Sequence, residues 1–255
     1  MAGRVALVTG GGGGIGEATG RLFAEEGAAV ALVDRDRDAV AAAATGIISA
    51  HGGGGVLPLG ADLAQEAEAQ RVVDETAARF GKVDCLVNVA GIRLYTPLAE
   101  AEAKEWEAIL GVNVLAAAYC AKAAIPHLRA ARGGTIVNVS SVFGVLGRVG
   151  MGQYDTTKAA ILGFTRALAV EEAPHGIRVN AVCPGGTITP YHVRRAAERG
   201  MNEAQLRASR TDDNGLLGRW AEPREIAYPI LFLSCGESSF ITGTTLMVDA
   251  GKSVI

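Results

Sequence analysis

Tyr154 and Lys158 stand four residues apart in the stretch QYDTTKAAILGF. On a helix that spacing sets both side chains on one face. An ammonium beside a phenol favours the ionised oxygen. A phenol that ordinarily titrates near about 10 then takes up a proton closer to neutral pH, which is general acid/base chemistry. Alone the pair is weak, because Tyr-x-x-x-Lys is more often an exposed helix pair than a reacting one. Ser141 lies upstream in the same stretch of chain, with Ser140 directly before it.

Such a pair needs a scaffold and a reaction partner, and the N-terminus supplies candidates for both. Thr9 to Gly16 reads TGGGGGIG. The preceding RVALV reads as a strand and the following EATGRLFAEEG as an amphipathic helix. A glycine loop between them lays bare amides at a helix N-terminus, where the partial positive charge suits a pyrophosphate. The segment HGGGG at His51 to Gly55 leads into a strand instead and reads as a plain loop. Spacing leaves two registers open: Gly11, Gly13 and Gly16, or Thr9, Gly10, Gly14 and Gly16. Asp34, at the end of the second apolar run, is the acidic residue expected to follow. Its carboxylate is placed to hold the two ribose hydroxyls of NAD and to repel the 2′-phosphate of NADP. Arg35 is next in line and keeps NADP open; the bland role for Asp34 is a turn or helix cap.

Seven apolar runs of strand length recur: Val5–Val8, Ala29–Val33, Val56–Leu59, Cys85–Val89, Thr135–Val139, Arg178–Val182 and Thr245–Val248. Most are apolar throughout, as in strands covered on both faces. Helical segments such as Glu17–Glu26, Glu66–Phe80 and Tyr154–Glu171 lie between them. The alternation predicts a doubly wound, Rossmann-like α/β fold with a seven-stranded parallel sheet. One domain is expected over 1–255. The polar stretch 190–219 breaks the pattern and reads as a substrate-binding insertion or lid.

Composition narrows the class. Of 255 residues, 49% are hydrophobic, and 24 basic side chains nearly balance 27 acidic ones. No basic excess points to nucleic acid. Cys85, Cys120, Cys183 and Cys235 are far apart without metal-site spacing, and His51, His127, His175 and His192 show none either, so no metal is expected. Reduced thiols and the lack of a leader predict a cytoplasmic protein. No apolar stretch of about 18 residues is apparent, so no membrane span is expected.

Taken together, these pieces resemble the short-chain dehydrogenase/reductase family, in its single-domain branch of about 250 residues. Thr9-Gly10-x-x-x-Gly14-Ile15-Gly16 is similar to that family's cofactor loop. Asp62 in GADL, the turn NVAG at Asn88–Gly91, Asn113 in GVNV, Ser141 and NAVCPGGTIT at Asn180–Thr189 match its further motifs, and ITGTTLMVDAG resembles its last strand. Val89 departs from the pattern, standing where the family has a second asparagine thought to brace strands. The resemblance implies NAD, with NADP open, bound by Gly10, Gly13, Gly14, Ile15, Gly16, Asp34 and Arg35 at one end. Asp62, Leu63, Asn88, Ala90 and Gly91 continue that site, and Pro184, Gly185, Thr187, Ile188 and Thr189 lie along the nicotinamide. It implies an alcohol/carbonyl interconversion by Asn113, Ser141, Tyr154 and Lys158. Tyr154 would exchange the proton. Lys158 would stabilise its ionised form and bind the ribose, Ser141 would hold the substrate oxygen, and the Asn113 backbone carbonyl would position a water. It also implies a homotetramer, with the helices NVLAAAYCAKAAIPHL and KAAILGFTRALAVEEA as candidate contacts.

The substrate pocket is less legible. Positions after Gly91, Ser141 and Gly185 offer Arg93, Tyr95, Phe143, Arg148 and Tyr191 around Ser141 and Tyr154, with His192, Arg194 and Arg195 beyond. Their basic excess suggests a small alcohol or ketone carrying negative charge, held by an arginine fork. The bland reading is a solvated helix face in HVRRAAER. From another class, a dinucleotide-binding regulatory protein without turnover would keep the glycine loop and need none of the four reacting residues. An epimerase or dehydratase is a third reading; the longer branch with that chemistry carries a C-terminal region that has no counterpart here.

Overall fold

The computed structural model describes residues 1–51, 55–210 and 214–255. The chain runs β1 (Val5–Thr9), α1 (Gly14–Glu25), β2 (Ala29–Asp34), α2 (Arg37–His51), β3 (Val56–Gly60), α3 (Glu66–Phe80) and β4 (Cys85–Asn88). It continues through α4 (Ala103–Leu110), α5 (Ala116–Ala130), β5 (Thr135–Val139), α6 (Gly152–Glu172) and β6 (Arg178–Pro184). Last come α7 (Pro190–Ala197), α8 (Glu203–Ala208), α9 (Pro223–Ser234) and β7 (Thr245–Val248). All seven strands are parallel, in the order β3-β2-β1-β4-β5-β6-β7.

The uninterrupted apolar runs are explained by the two helical layers. Leu7, Val33, Leu86, Ile136 and Val179 face α3, α5 and α6. Their chain neighbours Ala6, Val8, Leu32, Val87 and Val137 face α1, α2 and α9. Side chains alternate along each strand, and both faces are dry, so every position is apolar.

Strand and helix ends follow local hydrogen bonding. β4 stops at Asn88 rather than Val89, because the Val89 and Ala90 amides leave the ladder and donate to Thr9 Oγ1 at 3.0 and 3.1 Å. α1 starts at Gly14, ahead of the expected Glu17, so the end of the glycine loop is itself the first helical turn. Of the HGGGG segment, 52–54 lie outside the described residues, and Gly55 directly precedes β3. The 190–219 stretch holds α7 and α8; 211–213 lie outside the described residues.

One long apolar run does lie in the chain, and it does not make a clear membrane span. The run Ala103–Ala130, made of α4, a π-helical turn and α5, is long and apolar enough to cross a bilayer by length and composition. Its apolarity has an internal cause: Ala116, Cys120, Ala124 and Leu128 are buried in the layer that covers the sheet.

Candidate active site

Chain order reverses between β1 and β4, and in such sheets a crevice opens beyond the strand ends at that point. Here a cavity of about 720 Å³ lies along the C-terminal ends of the strands. Thr9 fixes its floor by accepting the two amides after β4.

At one end stands the glycine loop, and its backbone decides the register. Gly10 and Gly14 are left-handed, with φ of 67° and 55°. A Cβ on Gly16 would meet the Gly10 carbonyl oxygen at 2.0 Å. These three belong to Thr9-Gly10-x-x-x-Gly14-Ile15-Gly16. Gly13, of the other register, is extended with φ 171°, which any residue adopts. Gly10, Gly13, Gly14 and Ile15 line the cavity, whereas Gly16 is buried behind it. Gly11 and Gly12 also sit close to their surroundings: a Cβ there would lie 2.9 Å from Leu32 Cβ and 3.0 Å from Asp34 Oδ2.

Asp34 lines the cavity at the end of β2 with Arg35 beside it. Its Oδ2 accepts from the Gly12 amide and its Oδ1 from the Asp36 amide, both at 3.1 Å. It is therefore a turn cap as well, and each oxygen keeps a second acceptor site. Exposed Asp62 accepts the Ala64 amide at 3.2 Å and lines the cavity with Leu63. Ala90, Gly91, Pro184, Gly185, Thr187 and Thr189 complete the wall. Bare amides at a helix start and two carboxylates along the strand ends suit the pyrophosphate and sugar hydroxyls of a dinucleotide. A Cβ on Gly14 would fill this cradle, 3.0 Å from Thr189 Cγ2.

Besides Gly16, two expected cofactor residues are not in the wall. Asn88 is buried within β4, and its Nδ2 donates sideways to Asn138 Oδ1 at 2.9 Å. Asn138 Nδ2 donates onward to Thr165 Oγ1 at 3.0 Å. Asn88 thus braces β4, β5 and α6, the kind of work ascribed to the missing asparagine at Val89, which instead lines the cavity. The Ile188 amide donates to the Ala221 carbonyl, and its side chain packs with Ala196 and Leu206 beneath α7 and α8.

At the other end of the cavity α6 presents Tyr154 and Lys158, 6% and 4% exposed. Lys158 Nζ donates to the Val139 carbonyl at 3.0 Å and lies 5.6 Å from the Tyr154 ring centre. Ser140 and Ser141 both line the cavity and are chemically distinct. Ser140 spends its proton on the Lys158 carbonyl at 2.7 Å. Ser141 Oγ accepts from the Phe143 amide at 3.1 Å and keeps its proton to donate. Asn113 is buried in the π turn and does not touch the cavity. Its Oδ1 accepts from the Ile92 amide, and its Nδ2 donates to the Ile92 carbonyl and Thr157 Oγ1. It ties the loop after β4 to α6.

The electrostatics of this end are lopsided. Burial pushes the Tyr154 phenol up, but Lys158, Arg93, a hydrogen bond from Ser141 and Arg148 pull it down, and the net shift is downward. Burial carries Lys158 below its ordinary value against the attraction of Tyr154. Arg93 and Arg148, both in the wall, each stand 5.3 Å from the Tyr154 ring centre. Arg148 stacks 3.6 Å from the Phe143 ring centre and lies 3.2 Å from Asp155 Oδ1. That pair is close but poorly aligned, since Arg148 Nε and Nη2 and both Asp155 oxygens are buried without a well-formed hydrogen bond. Burial raises the Asp155 carboxyl, against the pull of Arg148.

Arg93 Nη1 lies 3.0 Å from His192 Nε2, and His192 Nδ1 lies 2.8 Å from Thr189 Oγ1. Burial, with Arg93, Arg195 and Arg148 nearby, holds His192 down to about 3. The imidazole is therefore neutral, accepting from Arg93 and donating to Thr189. Tyr191 lines the cavity, and its hydroxyl donates to that of Tyr95 at 2.6 Å. Tyr95 itself stays outside the wall. Sequence reasoning did not anticipate His192 as the prop of Arg93, nor Trp220, whose ring centre lies 5.4 Å from that of His192. No local spacing announces either, because the contacts join distant parts of the chain.

Comparison with known proteins bears on the family and the fold. The family described as enoyl-(acyl carrier protein) reductase matches residues 10–253. The short-chain reductase protein NovJ of Streptomyces niveus is 39% identical, covering 97% of this chain and 93% of its own. The cis-4-hydroxycyclohexanecarboxylate dehydrogenase of Sinomonas cyclohexanicum is 38% identical, covering 99% and 97%. The crystal structure of 3-ketoacyl-(acyl-carrier-protein) reductase from Brucella melitensis, complexed with NADH, superposes with a TM-score of 0.86 at 34% identity, covering 99% of both chains. With its crevice, its register of glycines and these full-length matches, the chain belongs to the short-chain dehydrogenase/reductase family, oxidoreductases that act on CH–OH groups with a nicotinamide dinucleotide.

Proposed function

We propose that this chain is an NAD-dependent dehydrogenase/reductase that interconverts a secondary alcohol and a carbonyl on a small, negatively charged molecule, with Tyr154 as general acid/base. The observation that carries the reading is the buried Tyr154 phenol, drawn below its ordinary value with Lys158 and Ser141 beside it. The glycine loop, Asp34 and the residues after β4 and β6 would hold NAD, which when bound would supply the hydride acceptor: a hydride would leave the carbinol carbon as its C–O bond becomes C=O. Tyr154 takes the hydroxyl proton in that direction and returns it in the other. Lys158 stabilises the phenolate and would hold the ribose hydroxyls of the bound cofactor. Ser141 donates its free proton to the substrate oxygen. Asn113 holds the loop against α6, and its backbone carbonyl, in a π turn of the kind often found at functional sites, positions a water toward Lys158.

Asp34 supports NAD over NADP, because a carboxylate there faces the extra phosphate of NADP. The basic wall supports a negatively charged substrate, and the relative from Sinomonas is named for a hydroxylated carboxylate. We also infer a cytoplasmic homotetramer. Exposed Leu110, Leu115 and Val170 on α4 to α6, Tyr228 and Phe232 on α9, and Phe240 ahead of β7 support subunit contacts. Four free thiols suit a reducing compartment.

The test is reduced-cofactor absorbance with secondary alcohols, sugars, steroids and hydroxy acids, using NAD and NADP. Tyr154→Phe should lose about 10² to 10⁴ in kcat while still binding NAD; turnover near wild type would overturn the assignment. The pH profile carries the sign. Oxidation needs the phenolate, so its rate should rise with pH to a plateau whose midpoint lies below the ordinary tyrosine value. In Lys158→Met that midpoint should move up.

A further inference from the structure

The cations around Tyr154 outnumber the anions. Lys158, Arg93 and Arg148 surround the ring. Asp155 is the one carboxylate paired with them among the described residues, and it lies against Arg148. His192, the partner of Arg93, is neutral. The other groups around Arg93 are phenols: its guanidinium is 5.4 Å from the Tyr191 ring centre and is drawn to Tyr154 and Tyr95. Arg93 is thus a charge in the cavity wall with no carboxylate of its own. A desolvated charge is costly unless paired. Three cations against one carboxylate leave two positive charges, and an ionised Tyr154 removes one. One remains.

We infer that the charge left over is the binding site for the substrate's own carboxylate, and that this protein acts on compact hydroxy- and oxo-monocarboxylates anchored by Arg93. The inference rests on the oxidoreductase reading above and names its substrate class. The guanidinium fork matches the planar carboxylate. Arg93 lies 5.3 Å from the ring centre of Tyr154, so an acid paired with it sits within a few bonds of an oxygen held by the phenol. Tyr154, Phe143, Tyr191 and Trp220 give the space between them apolar walls. His192 is a positioning residue: kept neutral, it accepts from Arg93 without cancelling its charge.

Isosteric pairs isolate the carboxylate. The NAD-loaded enzyme is offered 3-hydroxybutanoate and 3-hydroxybutanamide as substrates, and butanoate and butanamide as unreactive ligands in a thermal-shift titration. The acids should be preferred over the amides by at least about tenfold, in kcat/KM or in apparent affinity. Arg93→Gln should bring that ratio close to one, and Arg93→Lys should restore part of it; the ratio stays readable even where absolute rates fall. Equal treatment of acid and amide by the wild type, or a preference that survives Arg93→Gln, would overturn the proposal. Neutral alcohols turned over through Tyr154 without any acid preference would leave the oxidoreductase reading standing and remove this one. Selective butanoate binding without oxidation of any alcohol would do the reverse.

Discussion

The Gly12 amide donates to Asp34 Oδ2 at 3.1 Å, one residue past the Gly11 amide's backbone bond to the Val33 carbonyl at 3.0 Å, so a side chain extends the tie between the glycine loop and the end of β2. The same carboxylate that lines the cavity also shapes the loop.

Replacing Asp34 by alanine should therefore do two things. Repulsion between a carboxylate and a 2′-phosphate about 4 Å away is roughly 1 to 4 kcal/mol between water-like and surface-like screening. The NADP-to-NAD ratio of kcat/KM should rise at least about fivefold. Loss of two accepted amides should also lower the melting temperature slightly. An unchanged cofactor ratio in paired kinetics would refute the role given to this carboxylate.

The two serines should separate cleanly. Ser141→Ala removes a proton aimed at the substrate and should lower kcat by about 10², with a modest cost in stability from the lost cap on the Phe143 amide. Ser140→Ala removes a bond from the β5 end to the Lys158 carbonyl. It should cost about 1 kcal/mol in denaturant unfolding and keep most of the activity. Reversed outcomes would mean that Ser140 faces the substrate.

The scaffold was legible because its signals are local. Leu7 and Val8 face opposite layers, both apolar, so composition alone marks β1 as a buried strand. The Tyr154–Lys158 pair is a helical spacing and reads the same way. What escaped depends on direction or distance. Five consecutive glycines satisfy two registers by spacing; the family resemblance picks one, and the positive φ of Gly10 and Gly14 supplies its physical reason. Asn88 lies in the expected turn, yet its amide points along the sheet to Asn138. Arg93 and His192 meet across a separation of 99 residues, which no pattern within one element announces. The apolar run Ala103–Ala130 looks like a membrane span because a helix buried against a sheet needs the same residues.

Asn88 makes the structural alternative testable. Asn88→Ala breaks the first link of the chain through Asn138 to Thr165 and leaves Asn138 Oδ1 without its donor. A buried acceptor stripped of its partner costs about 1 to 3 kcal/mol. Chemical denaturation should show that loss, whereas NAD affinity of the folded variant, by calorimetry, should change less than about threefold. A large drop in affinity with normal stability would restore Asn88 to the cofactor site.

The last expectation concerns the cover of the cavity. α7 reaches the loop after β4 through Tyr191 to Tyr95, His192 to Arg93, and Arg195 stacked 3.6 Å from the Tyr95 ring centre. Its start packs on the glycine loop, where a Cβ on Gly13 would lie 3.3 Å from Pro190 Cγ. Loosening this latch should free whatever the cavity holds. The Tyr191–Tyr95 bond is exposed, so its net worth is about 0.5 to 1.5 kcal/mol. Tyr191→Phe should then speed NADH dissociation about two- to tenfold in stopped-flow fluorescence, with little change in melting temperature. Burial and the bond to Tyr95 hold the Tyr191 phenol up at about 12. As an acid with a raised value it keeps its proton, and with it the bond, through pH 10. Wild-type release should therefore not quicken between pH 7 and pH 10 through loss of this contact. A Tyr191→Phe enzyme that released NADH at the wild-type rate would show that α7 covers the cavity without holding it shut.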